Sequence, residues 1–287
     1  MSNTIKSVIL LGGLTGLLVV MGNLLGGTTG MIIAFGMAVA MNFTSYWFSD
    51  QIALKMAGAR EVSPEEAPQL HSIVEELAYR AGLPKPRVAI VESASPNAFA
   101  TGRDKDHALV AVTTGILQIL NRDELLAVLG HELAHVKNKD ILVTSIAATV
   151  AGAIMMAAQM LQFAAIFGGF GGSRNSDGEG TNPLAALAMI FLAPIAATMI
   201  QMAISRSREY GADTTGAHIV GDPLALASAL AKLEAGAHQL PMNVNPAVAP
   251  LFIVNPLSGQ FIGSLFSTHP PIEDRIKRLR QMAGYRA

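Results

Sequence analysis

The sequence of 287 residues contains no cysteine. Disulfide bonds are therefore excluded, and so is a zinc site built from thiolates. Any transition-metal site in this chain must take its ligands from histidine, aspartate and glutamate side chains. The absence of cysteine also fits a reducing compartment.

Charged residues are scarce as well. They make up 14% of the chain, whereas ordinary soluble domains contain about 25%. The deficit is concentrated in four uncharged stretches, at residues 7–25, 31–48, 141–170 and 183–204. Each stretch approaches or exceeds the length of about 20 residues that an α-helix needs to cross a bilayer. We therefore predict two transmembrane hairpins, over residues 7–48 and 141–204.

Two alternatives to these four spans stay open at this point. The first stretch could be a cleaved signal peptide, since Lys6 precedes an apolar run. It lacks a convincing cleavage site, however, and a second apolar stretch follows almost at once. The last two stretches could be buried core helices of a soluble protein, but their length and lack of charge favour membrane spans.

The distribution of lysine and arginine predicts the orientation in the bilayer. Both residue types are abundant in segment 50–140 and after residue 204, and they are almost absent from the loop 171–182. By the positive-inside rule, segments 50–140 and 205–287 and both termini lie on the cytoplasmic face. A formal net charge of −1 without a long basic run argues against a nucleic-acid partner.

Segment 50–140 has the pattern of a small α+β unit. Residues Pro64 to Ala81 are predicted to form a helix, because Ser63 can cap it and an apolar face follows. Two runs rich in Val, Ile and Ala predict strands at Val88–Glu92 and Ala108–Thr113, with a further short strand possible between them.

A second helix is predicted after Asn121, which forms a capping-box pattern with Glu124. Apolar residues repeat at helical spacing along it, and it runs almost directly into the third apolar stretch. Any chemistry on this helix should therefore lie close to the membrane surface.

This helix carries His131-Glu-Leu-Ala-His135. Residues four apart share a helix face, so both imidazoles can reach one metal ion. Glu132 is rotated by about 100° from His131, which suits a general base for a water molecule that zinc activates. Chance would produce this pattern rarely, and its position on a capped helix makes chance a poor explanation.

A catalytic zinc ion normally has three protein ligands. The segment after residue 204 offers Glu209 and Asp213, which again lie four residues apart. One carboxylate could bind the metal while the other orients a ligand histidine. The alternative is a solvated charge cluster with Arg206 and Arg208, and spacing alone does not choose between them.

These motifs resemble those of the HtpX family of bacterial heat-shock proteases, which belongs with the CAAX prenyl proteases among the membrane-linked gluzincins. The resemblance covers essentially the whole chain, including the four spans. Four segments carry it: HELAH (131–135) with Asp140, SRSREYGAD (205–213), THPPIEDR (268–275) and NAFATG (97–102).

The resemblance implies roles for individual residues. Glu209 becomes the third zinc ligand, and Asp213 and Asp140 become carboxylates that orient the ligand histidines. His269 and Arg275 become groups that stabilise the transition state or orient a carboxylate.

In this family the segment 97–102 lies along the active-site cleft, so Asn97, Ala98 and Phe99 are predicted to contact the substrate. An extended substrate could add to the edge of this strand by main-chain pairing.

The prediction is thus a mainly α membrane protein with four transmembrane helices and a small α+β zincin-like catalytic domain, placed in the bacterial inner membrane. It would bind one zinc ion and cleave misfolded or damaged membrane proteins at the cytoplasmic face. Two alternatives are a zinc-binding scaffold or chaperone without activity, and a small transporter. A transporter would be expected to place ionisable residues inside its spans, and the four stretches contain none.

Overall fold

The structure is a computed structural model that describes residues 3–144, 206–242, 244, 249–256 and 269–285. The third and fourth predicted spans lie almost wholly outside these residues. The helices are α1 (Asn3–Trp47), α2 (Ser49–Ala57), α3 (Pro68–Ala81), α4 (Thr114–Ile119), α5 (Arg122–Lys137), α6 (described over 206–220), α7 (Pro223–Gln239) and α8 (Ile272–Met282).

The described residues also form one four-stranded sheet. The strands are β1 (Ala59–Glu61), β2 (Arg87–Val91), β3 (Ala98–Thr101) and β4 (Leu109–Thr113). Their spatial order is β1-β2-β4-β3, with β2 and β4 parallel and the two outer pairs antiparallel. The two predicted strands are confirmed as β2 and β4, and the short run between them is β3.

Helix α1 breaks at Gly26 and Gly27, where the φ of Gly27 is 57°. The two halves fold back on each other. A hydrogen bond between them shows this contact: Asn42 Nδ2 donates to Thr15 Oγ1 at 3.0 Å. Within the described residues, Gly26–Thr44 is the one helical stretch that by length and composition could cross a bilayer.

One hydrophobic core joins the two charged segments of the sequence. Leu77 and Leu129 come from the first segment, Leu230 and Leu279 come from the second, and all four are fully buried. Since burying such a side chain stabilises a fold by about 1.5–3 kcal/mol, this core holds α5 firmly between the sheet and the C-terminal helices.

Helix α3 begins at Pro68, one turn later than predicted. Residues 64–66 form a turn in which the Ser63 amide donates to Glu66 Oε2 at 2.8 Å. Proline disfavours helical geometry in the residue before it, and Ala67 has φ −138° and ψ 61°. The helix therefore cannot extend back through Ala67 to Pro64.

The predicted capping box of α5 is confirmed. Asn121 accepts from the Glu124 amide, and the Glu124 side chain accepts from the Asn121 amide. Glu124 also accepts from Ser228 Oγ and Lys232 Nζ, both at 2.7 Å. The N-terminus of α5 is thereby fixed to α7.

Helices α5 and α6 cross at two glycines. A Cβ added to Gly216 would lie 2.8 Å from the Cα of His131 and 2.9 Å from its nitrogen, and one added to Gly130 would lie 2.5 Å from Cγ2 of Val220. Glu209 and Asp213 precede Gly216 by seven and three residues, so they lie on the same face of α6. This close crossing brings both carboxylates to the histidines of α5.

The crossing predicts different effects for two glycines of α6. Gly216→Ala should destabilise the protein by about 1–3 kcal/mol, because the new methyl group meets backbone rather than a flexible side chain. Gly211→Ala is the matched control: nothing lies within 4 Å of its added Cβ, and alanine favours a helix over glycine by about 1 kcal/mol. Thermal unfolding in detergent measures both variants. Equal midpoints for the two would contradict the close crossing.

Candidate metal centre

Helix α5 brings two imidazoles to one side of the core. The rings of His131 and His135 lie 4.8 Å apart between centroids. His131 is fully buried, and 14% of the His135 side chain is exposed. Both rings direct Nε2 towards the same carboxylate, that of Glu209 on α6.

Three side chains converge with the spacing of a tetrahedral site. Nε2 of His131 lies 3.4 Å from Oε2 of Glu209, and Nε2 of His135 lies 3.5 Å from Oε1. Ligand atoms that each lie about 2.0–2.1 Å from a tetrahedral zinc ion are separated by about 3.3 Å. These residues, whose ligand atoms all lie within 4.8 Å of one another, could therefore hold a metal ion.

The other ring nitrogens are engaged by carboxylates. Nδ1 of His131 lies 3.0 Å from Oδ1 of Asp213, and Nδ1 of His135 lies 3.3 Å from Oδ2 of Asp140. A proton held on Nδ1 leaves the lone pair of Nε2 facing the centre, which is the tautomer that a metal needs.

Arg275 holds the carboxylate of Asp213 in place. Its Nε and one terminal nitrogen donate to the two oxygens of Asp213 at 2.9 and 2.7 Å. Its other terminal nitrogen donates to the Ile253 carbonyl at 3.2 Å. Burial raises the pKa of Asp213, but the charge of Arg275 and hydrogen bonds from Arg275 and His131 outweigh it and lower that pKa to about 2.

The site has an excess of buried negative charge. Among the residues that the structure describes at this site, four buried acids with ionised carboxyl groups face two buried guanidinium groups: Glu132, Asp140, Glu209 and Asp213 against Arg208 and Arg275. Four negative and two positive charges leave a net charge of −2, which one divalent cation would neutralise.

The protonation of His131 reflects the same excess of negative charge. Burial lowers the pKa of His131, but the neighbouring carboxylates of Asp213 and Glu209 more than offset burial and raise the pKa to about 9. A metal ion would replace that proton. Oε2 of Glu209 is buried without a hydrogen bond, although a terminal nitrogen of Arg275 lies 3.6 Å from it. The donor set therefore fits a divalent metal.

Glu132 lies beside this centre without belonging to the ligand set. It is 1% exposed, and the backbone amide of Ala100 in β3 lies beside its carboxylate and opposes the effect of burial on its pKa. Burial raises the pKa of Glu132, although the neighbouring imidazoles oppose the shift. A small cavity adjoins it, lined by Ala100, Glu132, His135, Ile141, Thr144, Glu209 and Leu251.

His269 is the remaining predicted residue in this cluster. Its Nδ1 lies 3.5 Å from Oε2 of Glu209, and 6% of its side chain is exposed. Burial raises the pKa of Glu209, but the imidazoles of His269, His131 and His135 hold it well below the usual range.

The predicted substrate contacts lie near the centre but are covered. Asn97, Ala98 and Phe99 are fully buried. The Asn97 side chain donates to the Val254 carbonyl at 2.8 Å and accepts from the Val254 amide at 3.3 Å.

Sequence analysis did not anticipate two features of the site. One is the covering of β3 by residues near Val254, which carry no motif that could have signalled it. The other is Arg208, which is 8% exposed and lies close to Asp140 and Glu209 instead of forming a solvated charge. Its place next to Glu209 in the sequence was the available signal.

Comparison with known proteins identifies the family of this chain. Residues 64–283 match the model of Peptidase family M48. The chain is 57% identical to a "Protease HtpX homolog" of Desulfatibacillum aliphaticivorans over 97% of this chain and 89% of the relative. It is 58% identical to that of Persephonella marina over 98% of both chains, and 57% identical to that of Pyrococcus furiosus over 97% and 96%.

A solved structure gives the same fold. The crystal structure of S. mikatae Ste24p superposes with a TM-score of 0.52 at 21% identity, over 96% of this chain. This chain spans 64% of the length of Ste24p. The resemblance to HtpX proteases is confirmed, and we conclude that the chain is a metalloprotease that belongs to peptidase family M48.

Proposed function

We propose that this protein is a zinc-dependent endopeptidase in which His131, His135 and Glu209 hold one zinc ion and Glu132 is the general base. The observation that carries this proposal is the convergence of two Nε2 atoms and one carboxylate. In each imidazole the other nitrogen, Nδ1, lies beside an aspartate. Two imidazoles and a carboxylate, with a fourth position open, favour zinc and a catalytic rather than a structural site.

The chain's own residues supply the proton transfers. Zinc, when bound, would lower the pKa of water to about 7 and polarise the peptide carbonyl. Glu132 accepts the proton that the attacking water releases, and then passes it to the leaving amine. A carboxylate whose pKa is raised by burial suits both steps near neutral pH.

Two further groups assist. His269 can donate a hydrogen bond to the oxygen that becomes negative during attack, because it lies at the edge of the ligand cluster. Arg275 acts through Asp213, whose orientation it fixes with two hydrogen bonds. Asp213 in turn fixes the ring of His131, and Asp140 does the same for His135.

The substrates proposed are misfolded or damaged membrane proteins, cleaved at the cytoplasmic face of the bacterial inner membrane. Four spans, with both termini cytoplasmic, would hold the enzyme in the bilayer. Residues 140–144, which are helical and follow α5 closely, include the start of the third apolar stretch, so the centre would lie near the membrane surface. The apolar stretch of α1 is compatible with this arrangement.

Removal of the metal tests the proposed function. The purified full-length protein should contain about one zinc ion per chain and should cleave casein. Treatment with a chelator should abolish cleavage, and added zinc should restore it. Cleavage that continues unchanged after metal analysis shows the zinc to be gone would reject the mechanism. Zinc content without any cleavage would favour a scaffold.

A further inference from the structure

Strand β3 is an edge strand among the described residues, where it pairs with β4 alone. The Thr113 amide donates to the Asn97 carbonyl at 2.9 Å. In an antiparallel ladder such bonds alternate, so Asn97 and Phe99 direct their main-chain groups to β4. Ala98 and Ala100 direct theirs outwards, towards the metal centre.

The outward groups of β3 are already occupied within the chain. The Ala98 carbonyl accepts from the Ile253 amide at 3.0 Å. The Ala98 amide donates to the Asn97 side chain at 3.1 Å, and the Ala100 amide lies beside the Glu132 carboxylate. A substrate that pairs with this edge needs the Ala98 carbonyl in particular.

Residues 249–256, here called the covering segment, supply this occupation. Phe252 is fully buried and packs edge-on against Phe99 at 5.0 Å between ring centroids. Leu251 lines the cavity beside Glu132 and the metal ligands. Val254 is fixed by the Asn97 side chain. The segment therefore places apolar side chains and one main-chain donor along the edge that leads to the metal centre.

We propose that the covering segment occupies the place of the substrate on β3, so that the free enzyme blocks itself and an extended apolar peptide must displace the segment to be cleaved. This inference rests on the proposed function and concerns its regulation. The Ile253 amide fixes the segment to Ala98, the Asn97 side chain holds Val254, and Phe252 packs against Phe99. Arg275 also donates to the Ile253 carbonyl at 3.2 Å.

A proline substitution tests the main-chain bond. Ile253→Pro removes the amide that donates to Ala98, whereas Ile253→Ala keeps that amide and removes only the side chain. One such hydrogen bond shifts an equilibrium about two- to tenfold. Because a more open population lowers the apparent dissociation constant of the substrate, Ile253→Pro should lower KM for casein by about that factor relative to Ile253→Ala.

Zinc content and thermal midpoint show whether each variant is folded. A KM for folded Ile253→Pro that equals or exceeds that of Ile253→Ala would overturn the proposal. Phe252→Ala provides a second route if proline prevents folding, since it loosens the same segment without touching the backbone. It should also lower KM, and an unchanged or higher KM in the folded variant would count against the proposal.

A thiol probe reports displacement without relying on activity. The chain has no cysteine, so Leu251→Cys in a Glu132→Gln background carries a single thiol at a position that is 7% exposed. Its labelling by a maleimide should be slow in the free protein and several-fold faster with excess casein. Labelling that casein does not accelerate would overturn the proposal. The proposed function fails separately, if cleavage survives removal of the metal.

Discussion

Glu132→Gln is expected to abolish cleavage of casein while leaving zinc bound. The substitution keeps the size of the side chain and removes its ability to accept a proton. General acid–base catalysis contributes about 10²–10⁴-fold to rates of this kind, so kcat should fall by at least that range. Because Glu132 is not among the three converging ligand residues, the zinc content should stay at about one ion per chain.

Asp123→Asn is the matched control for this prediction. It is also an acid on α5, but it lies in the exposed first turn, so the same change of carboxylate to amide should leave kcat unaltered. Cleavage by Glu132→Gln at the wild-type rate, with zinc present in both proteins, would remove Glu132 from the mechanism.

Glu209→Gln is expected to lose the metal. The substitution removes the one carboxylate among the three proposed ligands. It also changes the net charge of the buried cluster from −2 to −1. Outer carboxylates that orient a ligand histidine are worth about 10–100-fold in metal affinity. The loss at Glu209 should exceed that range, whereas Asp213→Asn should fall within it. Competition with a zinc-binding dye measures both affinities.

Glu273→Gln controls for the loss of a carboxylate, because Glu273 is an exposed acid in the first turn of α8. Its zinc affinity should match that of the wild type. If Glu209→Gln bound zinc as tightly as Glu273→Gln, the third ligand would have to be another group, and the proposed centre would be wrong.

The local structure around α5 could be predicted from a short stretch of sequence. Asn121, Glu124 and the apolar spacing specify where the helix begins and which side it buries, and the two histidines share a face because helical geometry requires it. The strands β2 and β4 could also be predicted locally, because short runs rich in Val, Ile and Ala favour strands. The start of α3 was misplaced because the influence of Pro68 on Ala67 outweighs a favourable cap at Ser63.

Composition and motifs predicted the chemistry of the centre but not its assembly. The motif at residues 131–135 indicates a metal, and the resemblance to HtpX proteases pointed to Glu209, Asp213 and Arg275. Their contacts could not be derived from spacing, because they depend on how closely α5 and α6 approach. Gly130, the residue before His131, takes part in that approach.

The sequence by itself determined the absence of thiolate ligands, the α5 helix and the residue types available to a metal ion. These properties depend on side-chain chemistry and on neighbours within a few residues. The tertiary structure alone decided that Glu209 reaches both imidazoles, that Arg275 is buried against Asp213, and that residues 249–256 cover β3. Contacts between distant segments are set by packing of the whole core, which no local pattern encodes.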